Sequence, residues 1–165
     1  MALTQSGLEP LVASLGLLGA LIGQEVWQVS KLSKNDSLLF EQFLSEFPSN
    51  GRSARFLESH DIGGSFRDDE LKELDKFAES WGNADHEFGN KRLEAQRKEL
   101  LQATEKFRTD LSLNVFAGSH GFLTMDLKDY EDRPELLATR ERLNNLAMEV
   151  FKQHQELVRL GRKLT

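Results

Sequence analysis

The sequence predicts an all-α fold, a helical bundle with two long antiparallel amphipathic helices and a leading apolar helix. Apolar residues recur at the three- and four-residue spacing of a helix over most of the chain. Two stretches near the carboxyl end carry seven-residue apolar repeats, which are typical of helices packed lengthwise. No alternating apolar and polar pattern predicts a strand. We therefore expect an apolar leader at residues 1–30 and a helical bundle domain at residues 31–165.

The leader contains fifteen consecutive uncharged residues, from Pro10 to Gln24. Its apolar side chains follow helical spacing around most of the helix, and glycines occupy the remaining side. The residues expected to mediate membrane contact or self-association are Leu15, Gly16, Leu18, Gly19, Ile22, Gly23 and Trp27. Small residues four positions apart let two helix backbones approach closely, as membrane helices do.

Residues 8–29 reach the length of about 20 mostly apolar residues that a bilayer span needs. No cation precedes this segment, which argues against a cleaved signal peptide. The first cations, Lys31 and Lys34, follow it directly, so the positive-inside rule predicts a domain that stays in the cytoplasm. The alternative is a cytoplasmic protein whose leader packs in the core or at an oligomer contact.

Within residues 31–165 the apolar spacing predicts four helices and one short helical turn. They are Ser37 to Phe47 after Asp36 as cap, a turn from Ser53 to Ser59, Phe66 to Trp81, Asn90 to Leu113, and Pro134 to about Lys163. Ser65 and Asp68 resemble a capping box at the start of the helix from Phe66. The last two helices carry matching apolar stripes, so we expect them to pack antiparallel.

The connection from Phe116 to Arg133 is eighteen residues long. Connections longer than about 12–15 residues are often functional or disordered. Its apolar residues favour packing over the end of the bundle, and binding of a partner is the second interpretation. These residues are Phe116, Phe122, Leu123, Met125 and Leu127.

Acidic residues are concentrated between residues 61 and 87, although the whole chain has a formal net charge of only −6. This pattern predicts either an ordinary solvated helix face or a docking surface for a basic partner, centred on Asp68, Glu70 and Glu73. The negative net charge argues against general nucleic-acid binding, which needs a basic surface.

The sequence contains few candidate catalytic or metal-binding residues. The chain has no cysteine and no Glu-x-x-His pair, so we expect no metal ion and no cofactor. Arg55 and His60 have the Arg-x4-His spacing, and the six residues from Arg55 to His60 resemble the motif of the HEPN family of helical ribonucleases. That resemblance implies that Arg55 stabilises phosphate charge and that His60 moves a proton. Phe56 departs from the motif, because a polar residue normally follows the arginine.

Three segments, Asp61 to Phe66, Trp81 with Glu87 and Phe88, and Leu157 to Gly161, resemble uncharacterised bacterial proteins with a short apolar leader and a helical body. The resemblance covers most of the chain and implies a bacterial, membrane-associated setting with no assigned activity. We therefore expect a non-catalytic, membrane-associated interaction protein that forms a homo-oligomer or binds a protein partner. The alternatives are a HEPN-like ribonuclease and a soluble helical oligomer with a buried leader.

Overall fold

The computed structural model describes residues 31–125 and 133–165. The predicted leader helix, with its glycine side and Trp27, lies outside the described residues, as do residues 126–132 of the long connection. Within the described ranges, no helix combines the length and apolar character needed to cross a membrane.

Five α-helices make up most of the described chain, which confirms the prediction of a mainly helical protein. They are α1 (Lys34–Glu46), α2 (Arg52–Ser59), α3 (Lys72–Ser80), α4 (Lys91–Asn114) and α5 (Pro134–Leu164). The predicted starts of the two long helices are confirmed. Asn90 Oδ1 accepts hydrogen bonds from the Arg92 and Leu93 N–H groups at the start of α4, and Pro134 occupies the first turn of α5.

Asp36 does not cap α1, contrary to the sequence prediction. Ser33 is the cap, since its Oγ accepts a hydrogen bond from the Asp36 N–H at 3.1 Å. Asp36 is buried, and its two carboxylate oxygens accept hydrogen bonds from the Gly89 and Asn90 N–H groups at 2.7 and 3.0 Å. The residue therefore joins α1 to the loop before α4, a tertiary role that local sequence does not reveal.

Aromatic rings from α1 and α3, together with His154 of α5, form the centre of the core. The ring of Phe43 lies 5.9 Å from Phe77, 5.3 Å from Trp81 and 5.4 Å from His154, measured between ring centroids. These spacings fall in the range that favours tilted and edge-to-face packing. Trp81 Nε1 donates a hydrogen bond to Glu46 Oε2 at 2.9 Å, so its polar atom is also satisfied.

α5 runs in the opposite direction to α1. Phe47, near the end of α1, lies 4.3 Å from His154 between ring centroids. Phe40, about two helical turns earlier, packs so closely on Gly161 that a Cβ added to that glycine would overlap the Phe40 ring. A residue earlier in α1 therefore meets a residue later in α5, and this close approach requires glycine at position 161.

α4 also runs in the opposite direction to α5. Gln96 Nε2 donates a hydrogen bond to Gln153 Oε1 at 2.6 Å. Asp110, further along α4, pairs with Arg142, which lies earlier in α5, at 3.2 Å. The two long helices are thus joined near both ends of α4.

A small antiparallel sheet corrects the expectation that the chain has no strands. Its strands are β1 (Phe66–Arg67), β2 (Phe116–Ala117) and β3 (Phe122–Thr124), in the order β1-β3-β2. The helix predicted from Phe66 was wrong over its first turns, because Phe66 pairs with Leu123 and α3 begins only at Lys72. Strands of two or three residues are too short to produce an alternating pattern that could be recognised in sequence.

The predicted capping box of Ser65 and Asp68 was also wrong. Glu70 Oε2 accepts a hydrogen bond from the Arg67 N–H at 3.0 Å instead, at the start of a short 3-10 turn, Asp68–Glu70. The helical turn begins two residues later than predicted, because pairing with β3 holds Phe66 in an extended conformation.

Candidate functional site

A cleft of about 510 Å³ lies where the start of α3, the end of α4 and strand β3 come together. Apolar side chains and three charged groups contribute to its walls. Its lining includes Asp68, Leu71, Asp75, Arg108, Val115 and Leu123. Residues from three separate parts of the sequence therefore meet at one place that no single motif marks.

Asp75 and Arg108 form the polar centre of this cleft. Arg108 Nε donates a hydrogen bond to Asp75 Oδ1 at 2.7 Å, and the two side chains are each about one-third exposed. Burial raises the pKa of Asp75; Arg108 opposes this rise, and the nearby carboxylates of Asp68 and Glu79 add to it. The carboxyl group is thus less acidic than usual, and loss of Arg108 would raise its pKa further.

Three exposed large apolar side chains belong to the end of α4 and to strands β2 and β3. Leu113 is 68% exposed, Phe116 59% and Phe122 39%. Two residues that line the cleft are their neighbours in sequence: Val115 precedes Phe116, and Leu123 follows Phe122. Successive side chains of a strand point to opposite faces of a sheet, so Phe122 lies on the face opposite to Leu123. Phe116 pairs with Thr124 and therefore shares the face of Phe122. We call the exposed set Leu113, Phe116 and Phe122 the sheet-end surface. Aromatic side chains in such positions are characteristic of binding surfaces.

Charged residues border the sheet-end surface. The Arg67 guanidinium lies 5.9 Å from the centroid of the Phe122 ring. Arg67 also pairs with Asp69 at 3.7 Å, and Asp69 forms a second ion pair with Arg52. An apolar centre with a charged border is the usual arrangement of a protein–protein contact.

The three residues predicted as an acidic docking surface have different environments. Asp68 is exposed and lines the cleft. Glu70 is half-buried and accepts the Arg67 N–H hydrogen bond. Glu73 Oε2 accepts a hydrogen bond from the Ser53 N–H at 3.0 Å, in the first turn of α2. Of the three, Asp68 alone lines the cleft, whereas Glu73 joins two helices.

Ser53 completes this connection between α2 and α3. Its buried Oγ accepts hydrogen bonds from the Glu73 and Leu74 N–H groups at 3.2 and 3.3 Å. The same hydroxyl donates to the Glu70 carbonyl oxygen at 2.8 Å. Each helix therefore receives a cap from a side chain of the other, which fixes the chain next to the cleft.

The side chains of the ribonuclease-like pair are in different surroundings. Arg55 is exposed on α2. The His60 ring stacks on Phe56 with 4.6 Å between ring centroids, and its Nε2 is buried without a hydrogen-bond partner. Among the contacts of the described residues, none joins Arg55 to His60. A nuclease role for the pair stays a prediction.

Asp61, next to His60, connects the loop after α2 to α5. Its Oδ1 accepts hydrogen bonds from Arg140 Nε at 2.8 Å and from Asn144 Nδ2 at 3.0 Å. The hydrogen bond from Arg140 contributes most to holding the pKa of Asp61 well below its usual range. Asn144 Oδ1 in turn accepts the Ile62 N–H at 2.8 Å. This polar network holds the loop in position.

His154 is a buried histidine with a structural hydrogen bond. Its Nε2 lies 2.8 Å from the Phe47 carbonyl oxygen, and its Nδ1 lies 3.3 Å from Gln155 Nε2. A carbonyl can only accept, so Nε2 carries the proton and Nδ1 is the acceptor. Burial lowers the pKa of His154, which favours this neutral form.

The histidines do not converge on a metal site. His60 packs on Phe56, His86 lies against Trp81 at 4.7 Å between ring centroids, and His154 is in the core. In residues 31–125 and 133–165 there is no group of three or more histidine, aspartate or glutamate side chains that could hold a metal ion.

Sequence reasoning missed the pairing of Asp75 with Arg108 and the exposure of Phe116 and Phe122. Asp75 and Arg108 directly follow the buried residues Leu74 and Phe107, so each lies at the edge of an apolar helix face. A charged residue at the edge of an apolar helix face was the one feature of the sequence that could have indicated the cleft. The phenylalanines gave no comparable signal, because apolar residues usually indicate packing.

No protein-family model matches the chain. Comparison with curated proteins and with solved structures also produced no match.

Proposed function

We propose that the protein is a non-catalytic, membrane-associated interaction protein that associates with further copies of itself. Residues 8–29 attach it to the inner membrane, and a helical bundle domain, with its two long helices antiparallel, stays in the cytoplasm. Contact between copies is made by the glycine side of the leader, at Gly16, Gly19 and Gly23, and by the sheet-end surface.

The observation that carries this proposal is the exposed sheet-end surface. Phe116 and Leu113 each expose more than half of their side chains, although most other large apolar residues of the described chain are covered. Exposed aromatic and aliphatic side chains favour association, because burying them removes apolar area from water. The charged border formed by Arg67 and Asp69 would restrict the geometry of that contact.

A second copy is the occupant that the sheet favours. β2 lies at the edge of the sheet, so one side of this strand is not paired within the sheet. In a two-fold symmetric dimer the same surface of both copies meets, so Phe116 on the edge strand of one copy would lie near Phe116 of the other. An edge strand with an exposed aromatic residue is suited to such a contact.

The test is the oligomeric state of the full-length protein in mild detergent, measured by size-exclusion chromatography with light scattering. We expect wild type to be a dimer or larger. The double variant Phe116→Ser/Phe122→Ser should associate more weakly, so it should dissociate at a higher protein concentration than wild type. The matched control is Leu38→Ser, since Leu38 is 56% exposed on α1, far along the sequence from the sheet. A monomeric wild type would refute self-association. A double variant that associates as tightly as Leu38→Ser would refute the role of the surface.

A further inference from the structure

A second surface, at another place in the helical domain, is a groove of about 410 Å³ between the start of α4 and the end of α5. Its lining includes Arg92, Gln96, Glu156, Arg159, Leu160 and Lys163. Arg92 and Gln96 are four residues apart, as are Arg159 and Lys163, so each pair lies on one face of its helix. The hydrogen bond from Gln96 to Gln153 holds the two helices together beside the groove.

The groove has an excess of positive charge. Arg159 pairs with Glu156 at 2.5 Å. The other two cations, Arg92 and Lys163, have no carboxylate partner among the described residues. Further along the same two helices, Arg108 pairs with Asp75 and Arg142 with Asp110. The groove therefore carries three cations and one carboxylate, in a protein whose formal net charge is −6.

The groove lies at the end of the domain where α1 begins. Phe40 of α1 packs on Gly161 of α5, and the two helices run in opposite directions. The start of α1 at Lys34 therefore lies at the same end of the domain as Lys163. The proposed anchor, residues 8–29, ends five positions before Lys34 in the sequence.

We propose that the groove binds the phosphate head groups of anionic lipids at the membrane surface. The proposal rests on the proposed membrane association and adds the lipid class that the domain recognises. Arginine guanidinium groups match phosphate oxygens in a bidentate geometry, and lysine adds a mobile positive charge. Basic residues close to an anionic leaflet each strengthen attachment about fivefold. Glu156 offsets one of the three cations, so the net charge of two in the groove favours anionic over neutral membranes by roughly 25-fold.

The test uses the full-length protein with two kinds of vesicle, one of phosphatidylcholine alone and one with about 30 mol% phosphatidylglycerol. Partitioning is measured by co-sedimentation at low and at high salt. The groove variant is Arg92→Gln/Arg159→Gln/Lys163→Gln. The matched control, Arg55→Gln/Lys72→Gln/Lys106→Gln, removes the same charge from exposed residues that have no ion pair among the described residues.

We expect wild type and the control to prefer the anionic vesicles by roughly 25-fold at low salt and much less at high salt. The groove variant should lose that preference and still bind phosphatidylcholine vesicles through its leader. Equal binding of wild type to both vesicles overturns the lipid proposal and leaves the anchor intact. Binding of wild type to anionic vesicles alone supports the groove and refutes the anchor, whereas binding to neither refutes both.

Two further results would overturn the proposal. One is an equal loss of preference in the groove variant and the control, which would mean that net charge alone is responsible. The other is a groove-dependent interaction with single-stranded RNA that has no counterpart with vesicles, which would replace lipid by nucleic acid. Circular dichroism of both variants identifies any loss of helical structure, which would otherwise imitate a loss of binding.

Discussion

Replacing Arg97 by methionine should destabilise the protein far more than replacing an exposed arginine of the other long helix. Arg97 lies on α4 and is 2% exposed. Its Nε and Nη2 donate to the two carboxylate oxygens of Glu94 at 2.9 and 2.6 Å, and its Nη1 donates to the Trp81 carbonyl oxygen at the end of α3. Methionine fills part of the space but donates no hydrogen bond, so the Trp81 carbonyl and the Glu94 carboxylate both lose a partner.

The expected loss can be worked out from these contacts. Removing one partner of a buried ion pair costs about 3–5 kcal/mol. Glu94 is 15% exposed and keeps the Phe88 N–H at 3.0 Å and Lys98 Nζ at 3.2 Å, so the lower end of the range applies. We therefore expect the free energy of unfolding to fall by about 3 kcal/mol and Tm by about 6–12 °C.

Urea denaturation followed by circular dichroism measures this loss, with Arg142→Met as the matched control. Arg142 also has an acidic partner, Asp110, but its side chain is 53% exposed, so its removal should cost less than about 1 kcal/mol. If Arg97→Met and Arg142→Met differ by less than about 1 kcal/mol, the buried Arg97 contact between α3 and α4 does not have the stabilising role assigned to it.

Three further predictions concern the α1–α5 contact, the buried histidine and the ribonuclease alternative. Gly161→Ala should lower the free energy of unfolding by about 1–3 kcal/mol, because the new methyl group overlaps Phe40. Helix propensity alone would favour alanine by about 1 kcal/mol. A variant that is more stable in thermal denaturation would therefore contradict the close approach of the two helices. Because burial lowers the pKa of His154 in the folded protein, protonation favours the unfolded chain, so stability should decrease as the pH falls below about 6.5, by at most about 1.4 kcal/mol per pH unit. His154→Gln should have a shallower pH dependence between about pH 7 and 5.5, and identical slopes would refute this assignment. Finally, purified wild type should leave single-stranded RNA intact; cleavage that disappears in His60→Ala at unchanged Tm would establish the ribonuclease alternative.

Helix positions could be predicted because each long helix buries a continuous apolar stripe. In α5 the residues Leu143, Val150 and Leu157 repeat every seven positions, and all three are buried. The start of α4 was predicted correctly at Asn90, which caps that helix. The cap of α1 was not, because Ser33 takes the place predicted for Asp36, and the Asp36 carboxylate instead accepts hydrogen bonds from a segment more than fifty residues away. Such long-range hydrogen bonds have no sequence period from which they could be predicted.

The sheet and the cleft could not be predicted, for a related physical reason. β1 and β3 are separated by more than fifty residues and are two and three residues long, so pairing between distant segments is the only information that defines them. The cleft depends on that pairing, because Leu123 reaches the cleft only when β3 lies beside β1. The acidic cluster was noticed in the sequence, but the caps that Glu73 and Ser53 exchange depend on how α2 and α3 are packed.

Membrane attachment through the leader is tested most directly by fractionating cells that express either the full-length protein or a variant lacking residues 1–30. We expect the full-length protein to stay in the membrane pellet after a carbonate wash and to require detergent for release. The truncated protein should be soluble and should keep its helical circular dichroism spectrum. A full-length protein that is soluble without detergent, or a truncated protein that unfolds, would contradict membrane attachment through the leader and would favour a leader that belongs to the core.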